Sequence, residues 1–226
     1  MNRPASASGS HEDLSLELAA TAARLIAEDG CDYGTAKRKA VQLVLGEPGA
    51  ARGRLPENDL VESELRRYLR TFGGERHAAL LNELRTAALT LMEYLAPFNP
   101  HLVGAVLNGT ATEHSDIELQ LFTDSAKDVE VYLMDAGIDF DVEGGADEGA
   151  PGALERLSFI TAPRGERGAR SGRHPVGVRL HVFEQDAIRF APRYKAIPSP
   201  EFELHPVAAS GRASLAALRQ LIDAAR

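Results

Sequence analysis

Cysteine is almost missing from this 226-residue chain, and the single Cys31 excludes both an internal disulfide and a cysteine-clustered zinc site. Long apolar runs are missing too: no stretch approaches the roughly twenty residues that span a bilayer, so no membrane segment is expected. The opening residues MNRPASASGSHED lack the apolar core of a signal peptide and read as a flexible tail, residues 1–12. Positive charge is in deficit. A formal charge of -8 opposes a protein that coats nucleic acid or an anionic membrane with its whole surface, although local basic patches remain compatible with it. The seven histidines form no HExxH pair, no GxSxG elbow occurs, and no internal repeat is found. What is present, 44% hydrophobic and 26% charged residues, is the composition of an ordinary globule, and the expected setting is the cytoplasm.

The first half of the chain reads as helices. Leu14, Leu18, Leu25 and Ile26 fall on one side of a helix from Leu14 to Glu28, and Gly30 ends it. Asp32 or Thr35 caps a second helix that ends near Gly46. A Gly/Pro/Arg-rich connector, GEPGAARGRLP, leads into ENDLVESELRRYLRTF. Leu80, Leu84, Ala88, Leu91 and Leu95 recur at helical spacing between Glu75 and Leu95. The segment around Pro97 to Pro100 closes this helical region, residues 13–98.

After Pro100 the period changes. LVGAVL and DIELQLF are short runs of strand character, and in the second Ile117, Leu119 and Leu121 alternate with Asp116, Glu118 and Gln120. Asp124 or Ser125 caps a helix in which Val129, Leu133 and Met134 share a face. IDFDVEG, LERLSFITA and VGVRLHVFE predict three more strands, and SLAALRQLIDAAR predicts a capped amphipathic helix. Residues 99–226 therefore read as an α+β domain, a small mixed sheet flanked by helices.

Residues two apart on a strand share a face, so Asp116 and Glu118 project side by side. Two carboxylates that close repel each other unless a proton or cation intervenes. A hard divalent ion is one such partner, commonly held by one or two carboxylates together with substrate phosphates. A wet strand face alternating acids with apolar residues is the plainer reading of the same pattern. An apolar strand, a glycine turn, a short polar segment and then an acid pair make a more specific order.

That order resembles the nucleotidyltransferase superfamily of the DNA polymerase beta type. Gly104 matches the motif glycine, and Ser115-Asp116-Ile117-Glu118-Leu119 matches the acid strand. Asn108-Gly109-Thr110 stand where many small members carry an Arg-Gly pair. The chain is also similar to a bacterial group of such proteins with an all-helical N-terminal segment. The resemblance implies that Asp116 and Glu118 hold Mg²⁺ (or Mn²⁺), that a nucleoside triphosphate donates a nucleoside monophosphate to a hydroxyl acceptor the motif leaves open, and that a third carboxylate follows on a later strand. It implies nucleotide contacts at Gly104, Ala105, Asn108, Gly109, Thr110 and Ser115. The chain departs from the pattern at Ala105, where the family carries Ser, with Thr110 a candidate replacement. It departs again on the strand Val178 to Glu184, whose wet positions are Arg179, His181 and Phe183. Glu184 falls on the opposite face, and Asp139 and Asp141 lie outside the expected strand.

Two readings follow. In the first the protein is an active nucleotidyltransferase with His181 as general base and Arg179 on the substrate phosphates. In the second it is a catalytically impaired relative, a nucleotide-binding or protein-interaction module, with Arg179 paired to Asp116 or Glu118. The basic segment carrying Arg164, Arg167, Arg170, Arg173 and His174 suggests nucleic acid as a partner. A solvated loop is the favoured reading there, because no aromatic residue is interleaved for stacking. LysArgLys at 37–39 reads as the wet face of a helix, and Arg189, Arg193, Tyr194 and Lys195 as surface.

Overall fold

Residues 7–46, 55–144, 152–161, 175–192, 194, 196–197 and 203–225 are described by the structure, a computed structural model. The arginine segment 164–174, Arg193, Lys195, the tail 1–6 and connector residues 47–54 lie outside them. The chain forms two compact units, residues 1–78 with 196–203, and residues 79–195 with 204–226. No helix among the described residues is long and apolar enough to cross a membrane.

The first unit contains α1 (Ala7–Asp29), α2 (Tyr33–Leu45) and α3 (Asn58–Tyr68), with a π-helical turn at Leu69–Gly73. Its core is mostly small: Ala19, Ala22, Ala23, Ala36 and Ala40 are buried with Val61, Leu65 and Leu69. Small side chains let helices approach closely, so the alanine content of α1 and α2 is packing surface and not filler. Asp32 caps α2 by accepting a hydrogen bond from the Thr35 amide at 2.9 Å, and Gly46 ends it in the left-handed region, at φ 71°.

Helix α4 (Gly74–Tyr94) was expected to close the helical region near Pro97 to Pro100, yet the units divide inside it, after Ala78. The physical reason is its buried face. Leu84, Ala88, Met92 and the following Leu95 join one cluster with the inward side chains of the sheet. The second unit continues through β1 (His101–Val103), α5 (Gly104–Asn108), β2 (Ile117–Phe122), α6 (Ala126–Asp135), β3 (Asp141–Gly144), β4 (Glu155–Thr161), β5 (Val176–Phe183), β6 (Ala213–Ser214) and α7 (Leu215–Asp223). Together they form a mixed six-stranded sheet in the order β3-β4-β5-β2-β1-β6, in which β2 and β5 are parallel and the other pairs antiparallel. The α+β class expected from the sequence is what the described residues adopt.

The alternation in β2 divides its faces as its sequence dictates: Ile117, Leu119 and Leu121 are fully buried, and Glu118 and Gln120 half-buried. Leu102, Leu157, Val178, Leu180 and Val182 complete the dry face, which shares its cluster with α4, α6 and α7. Two local expectations change. LVGAVL does not continue as a strand, because the chain turns at Gly104 (φ 69°) into the short α5. In α6, Val129 and Leu133 are buried but Met134 is 58% exposed; Glu130 takes an inward place instead, joined to Lys127 at 2.6 Å. Ser214 caps α7, accepting from the Ala217 amide at 3.3 Å.

Candidate functional site

The parallel register of β2 and β5 brings the candidate residues together. Glu118 lies opposite Arg179, and Gln120 opposite His181. Asp116 immediately precedes β2, and its Oδ2 accepts from an Arg179 terminal nitrogen at 2.8 Å. The Nε2 of His181 lies 3.8 Å from Glu118 Oε2, an electrostatic neighbour beyond hydrogen-bond range. Of the four side chains, only His181 is buried; its Nδ1 has no hydrogen-bond partner among the described residues. Each acid thus faces a base on the adjacent strand.

Two glycines make room for the acids. A Cβ built on Gly104 would sit 3.1 Å from the Glu118 carboxyl carbon, and the backbone there has φ 69°. The antiparallel pair Val103–Glu118 accounts for this neighbourhood. A Cβ on Gly177, the second residue of β5, would sit 2.0 Å from Asp116 Oδ1, closer than any side chain tolerates. Gly104 was legible in the sequence; Gly177 was not, since only strand pairing reveals what it faces. A glycine inside a strand pattern, as in VGVRL, is the available signal.

The segment between α5 and β2 is a tied polar loop. Asn108 Oδ1 accepts from the Thr110 amide at 3.0 Å and the Thr110 hydroxyl at 2.7 Å. Ser115 Oγ accepts from the Thr112 amide at 2.9 Å, which closes the turn ahead of Asp116. Asn108 and Thr110 are buried, so the Thr110 hydroxyl is committed inward and does not replace the serine hydroxyl missing at Ala105. Beneath the loop, the buried Arg85 of α4 donates to the carbonyls of Val106 at 3.1 Å and Leu107 at 2.9 Å. Burial lowers its pKa to about 10, which leaves the guanidinium charged at neutral pH. Sequence reading did not single out Arg85. Positively charged at a helical core position, it serves the otherwise orphaned carbonyls of α5.

Among the described residues no third carboxylate joins the pair. Asp141 lies on β3 at the sheet edge, with β4 and β5 between it and β2, and Asp139 precedes that same strand. Glu184 lines a separate hollow with Asp124, Gln185 and Asp186. Among the described residues no group of three or more His, Cys, Asp or Glu side chains is arranged to hold a metal ion. As a donor set for Mg²⁺ or Mn²⁺ the arrangement does not fit: one Asp116 oxygen is taken by Arg179, the other is pressed against Gly177, and Glu118 faces an imidazole. No family model, curated protein or solved structure matches the chain.

Proposed function

We propose that the second unit is a polymerase-beta-type nucleotidyltransferase domain in which Asp116 of the acid pair has been recruited into an ion pair with Arg179, and that the protein acts as a nucleotide-binding or protein-interaction module with impaired turnover. The sequence order around Gly104, Asp116 and Glu118 supports the fold part of this reading, as does a mixed sheet with the acid strand near its middle. One observation carries the functional part: the 2.8 Å contact between Arg179 and Asp116, beside which His181 lies 3.8 Å from Glu118. Arg179 compensates Asp116, so the two carboxylates do not need a divalent ion to be tolerated beside each other. A nucleoside triphosphate arriving here meets Arg179, which is 57% exposed and paired with Asp116. Its guanidinium can exchange that carboxylate for phosphate oxygens, which offer the same bidentate geometry.

Calorimetry with ATP, GTP, CTP and UTP, in Mg²⁺ and in EDTA, tests the reading. Binding of at least one nucleotide is expected in both conditions, surviving Glu118→Gln and weakened in Arg179→Met. The same protein, incubated with labelled nucleotides and cell extract, is expected to transfer no label. Transfer that disappears in Asp116→Asn would overturn the impaired reading in favour of an active transferase that places Mg²⁺ between the acids. The absence of any nucleotide binding would overturn both.

A further inference from the structure

Helix α6 and strand β4 meet through three charged side chains that the acid pair does not use. Lys127 Nζ donates to Glu130 Oε1, one turn along α6, at 2.6 Å, and lies 3.5 Å from Oε1 of Glu155, the first residue of β4. One ammonium therefore serves two carboxylates from different elements. Glu130 is buried, Glu155 half-buried and Lys127 exposed. Glu155 Oε2 is buried with no hydrogen-bond partner among the described residues. Glu155 lies in register between Gly144 of β3 and Val182 of β5, neither of which brings charge. Glu143 and Arg156 pair with each other at 3.2 Å one position along, where strand alternation turns them to the opposite face. Among the described residues the charged groups that act on Glu130 and Glu155 are each other and Lys127.

From this arrangement we infer that Glu130 and Glu155 share a proton, and that the shared proton clasps α6 to β4 more tightly in mild acid than at neutral pH. With both carboxylates ionised, the cluster sets two negative charges against one positive charge, and the acids repel across a poorly solvated contact. A single proton converts that repulsion into a carboxyl–carboxylate hydrogen bond. Contact with Glu130 raises the pKa of Glu155 from its ordinary value and burial adds to this, while Lys127 opposes it. The pKa of Glu130 is lowered by its contacts with Lys127 and Glu155, against burial. A raised folded-state pKa means that the folded chain holds the proton more tightly than the unfolded one. The contribution of Glu155 is therefore complete below the unfolded value and is lost as the pH rises through the folded one. Glu130 has the opposite sign, and its contribution fades only as the pH falls through its own lowered value. One proton on the pair, between those two values, is the tightest state. The clasp lies within the sheet unit and is independent of nucleotide binding.

Carboxyl-carbon NMR of the full-length protein with labelled glutamate, assigned through Glu130→Gln and Glu155→Gln, reads the proton directly. Glu155 is expected to titrate above the ordinary glutamate value of 4.5, and to move down in Glu130→Gln. In thermal melts Glu155→Gln, whose amide is a permanent donor, should raise the midpoint by about 2 °C at pH 7.5 and leave it unchanged at pH 4.5. Comparison with the wild type at the same pH cancels the groups common to both, His101 among them. Lys127→Met, which removes the shared cation, should lower the midpoint more at pH 7.5 than at pH 4.5. Glu143→Gln, on the opposite face of the neighbouring strand, should give no gain at pH 7.5. A Glu155 carboxyl that titrates at or below the ordinary value would overturn the inference. So would a Glu155→Gln midpoint that fails to exceed the wild type at pH 7.5, or that exceeds it equally at both pH values.

Discussion

Both units carry local ion pairs along their helices, but the sheet unit adds charged contacts made across elements. Among the described residues of the helical unit, Arg66 with Glu62 and Arg67 with Glu64 are local ion pairs, four and three residues apart along α3. Such pairs add a few tenths of a kcal/mol to a helix and require no particular fold. In the sheet unit Arg179 meets Asp116, and Arg85 meets the α5 carbonyls, only because strand order and helix packing bring distant segments together. The contrast teaches where to look for a site. Local pairs describe an element, whereas pairs made across elements and seated on glycines describe a place the fold maintains.

The largest effect that sharpens this comparison is expected at Arg85. Arg85→Met leaves two buried carbonyls without their charged donor and should cost about 3 kcal/mol, read as a lowered urea midpoint for the sheet unit by circular dichroism. A loss no larger than that of a surface arginine would place Arg85 with the local pairs. Gly177→Ala comes next, at about 2 kcal/mol from overpacking against Asp116. Adding Asp116→Ala should recover most of that loss, because the obstructing oxygen is then gone. A single Gly177→Ala variant with full stability would show that the carboxylate moves aside freely. The smallest stability effect belongs to Arg179→Met, below about 1 kcal/mol because the pair is largely exposed. It should match Arg67→Ala in the helical unit in stability while differing from it in nucleotide binding.

The comparison extends to pH. Burial lowers the pKa of His101, and the nearby Arg212 adds to this, while its contact with the Asn99 carbonyl opposes it. A folded-state pKa below the unfolded value of about 6.5 means that the unfolded chain binds the proton more readily, so stability is present above that pH and declines as the pH falls through and below it. His101 sits on β1, edge-on to Phe122 at 5.4 Å, so the loss belongs to the sheet unit. His101→Gln should flatten the slope between pH 7 and pH 5 in thermal melts. An unchanged slope would assign it to other groups.

Much of this was legible in local pattern and some was not, for physical reasons. Period-2 alternation set the faces of β2, and the cap residues Asp32, Gly46 and Ser214 marked helix ends that formed as expected, because both signals act within a few residues. Alternation placed Arg179 on the wet face of its strand, where it is exposed, but His181, expected on the same wet face, is buried between its neighbours. Strand order is a long-range property, which is why Gly177 was overlooked and why Asp141 was kept in view although two strands separate it from the pair. Helix α4 was counted with the helical region 13–98 because periodicity reveals an apolar stripe but not what covers it, which is the sheet's own cluster. Met134 and Glu130 exchanged places in α6 because Lys127 beside Glu130 makes an inward carboxylate affordable.

The central claim is that Arg179 holds the position a divalent ion would take at the acid pair. Electron paramagnetic resonance of Mn²⁺ titrated into the protein tests it without a nucleotide. The wild type is expected to leave Mn²⁺ free, and Arg179→Met is expected to acquire a bound signal that is lost again on adding Glu118→Gln. Tight Mn²⁺ binding by the wild type, abolished in Asp116→Asn, would contradict the account.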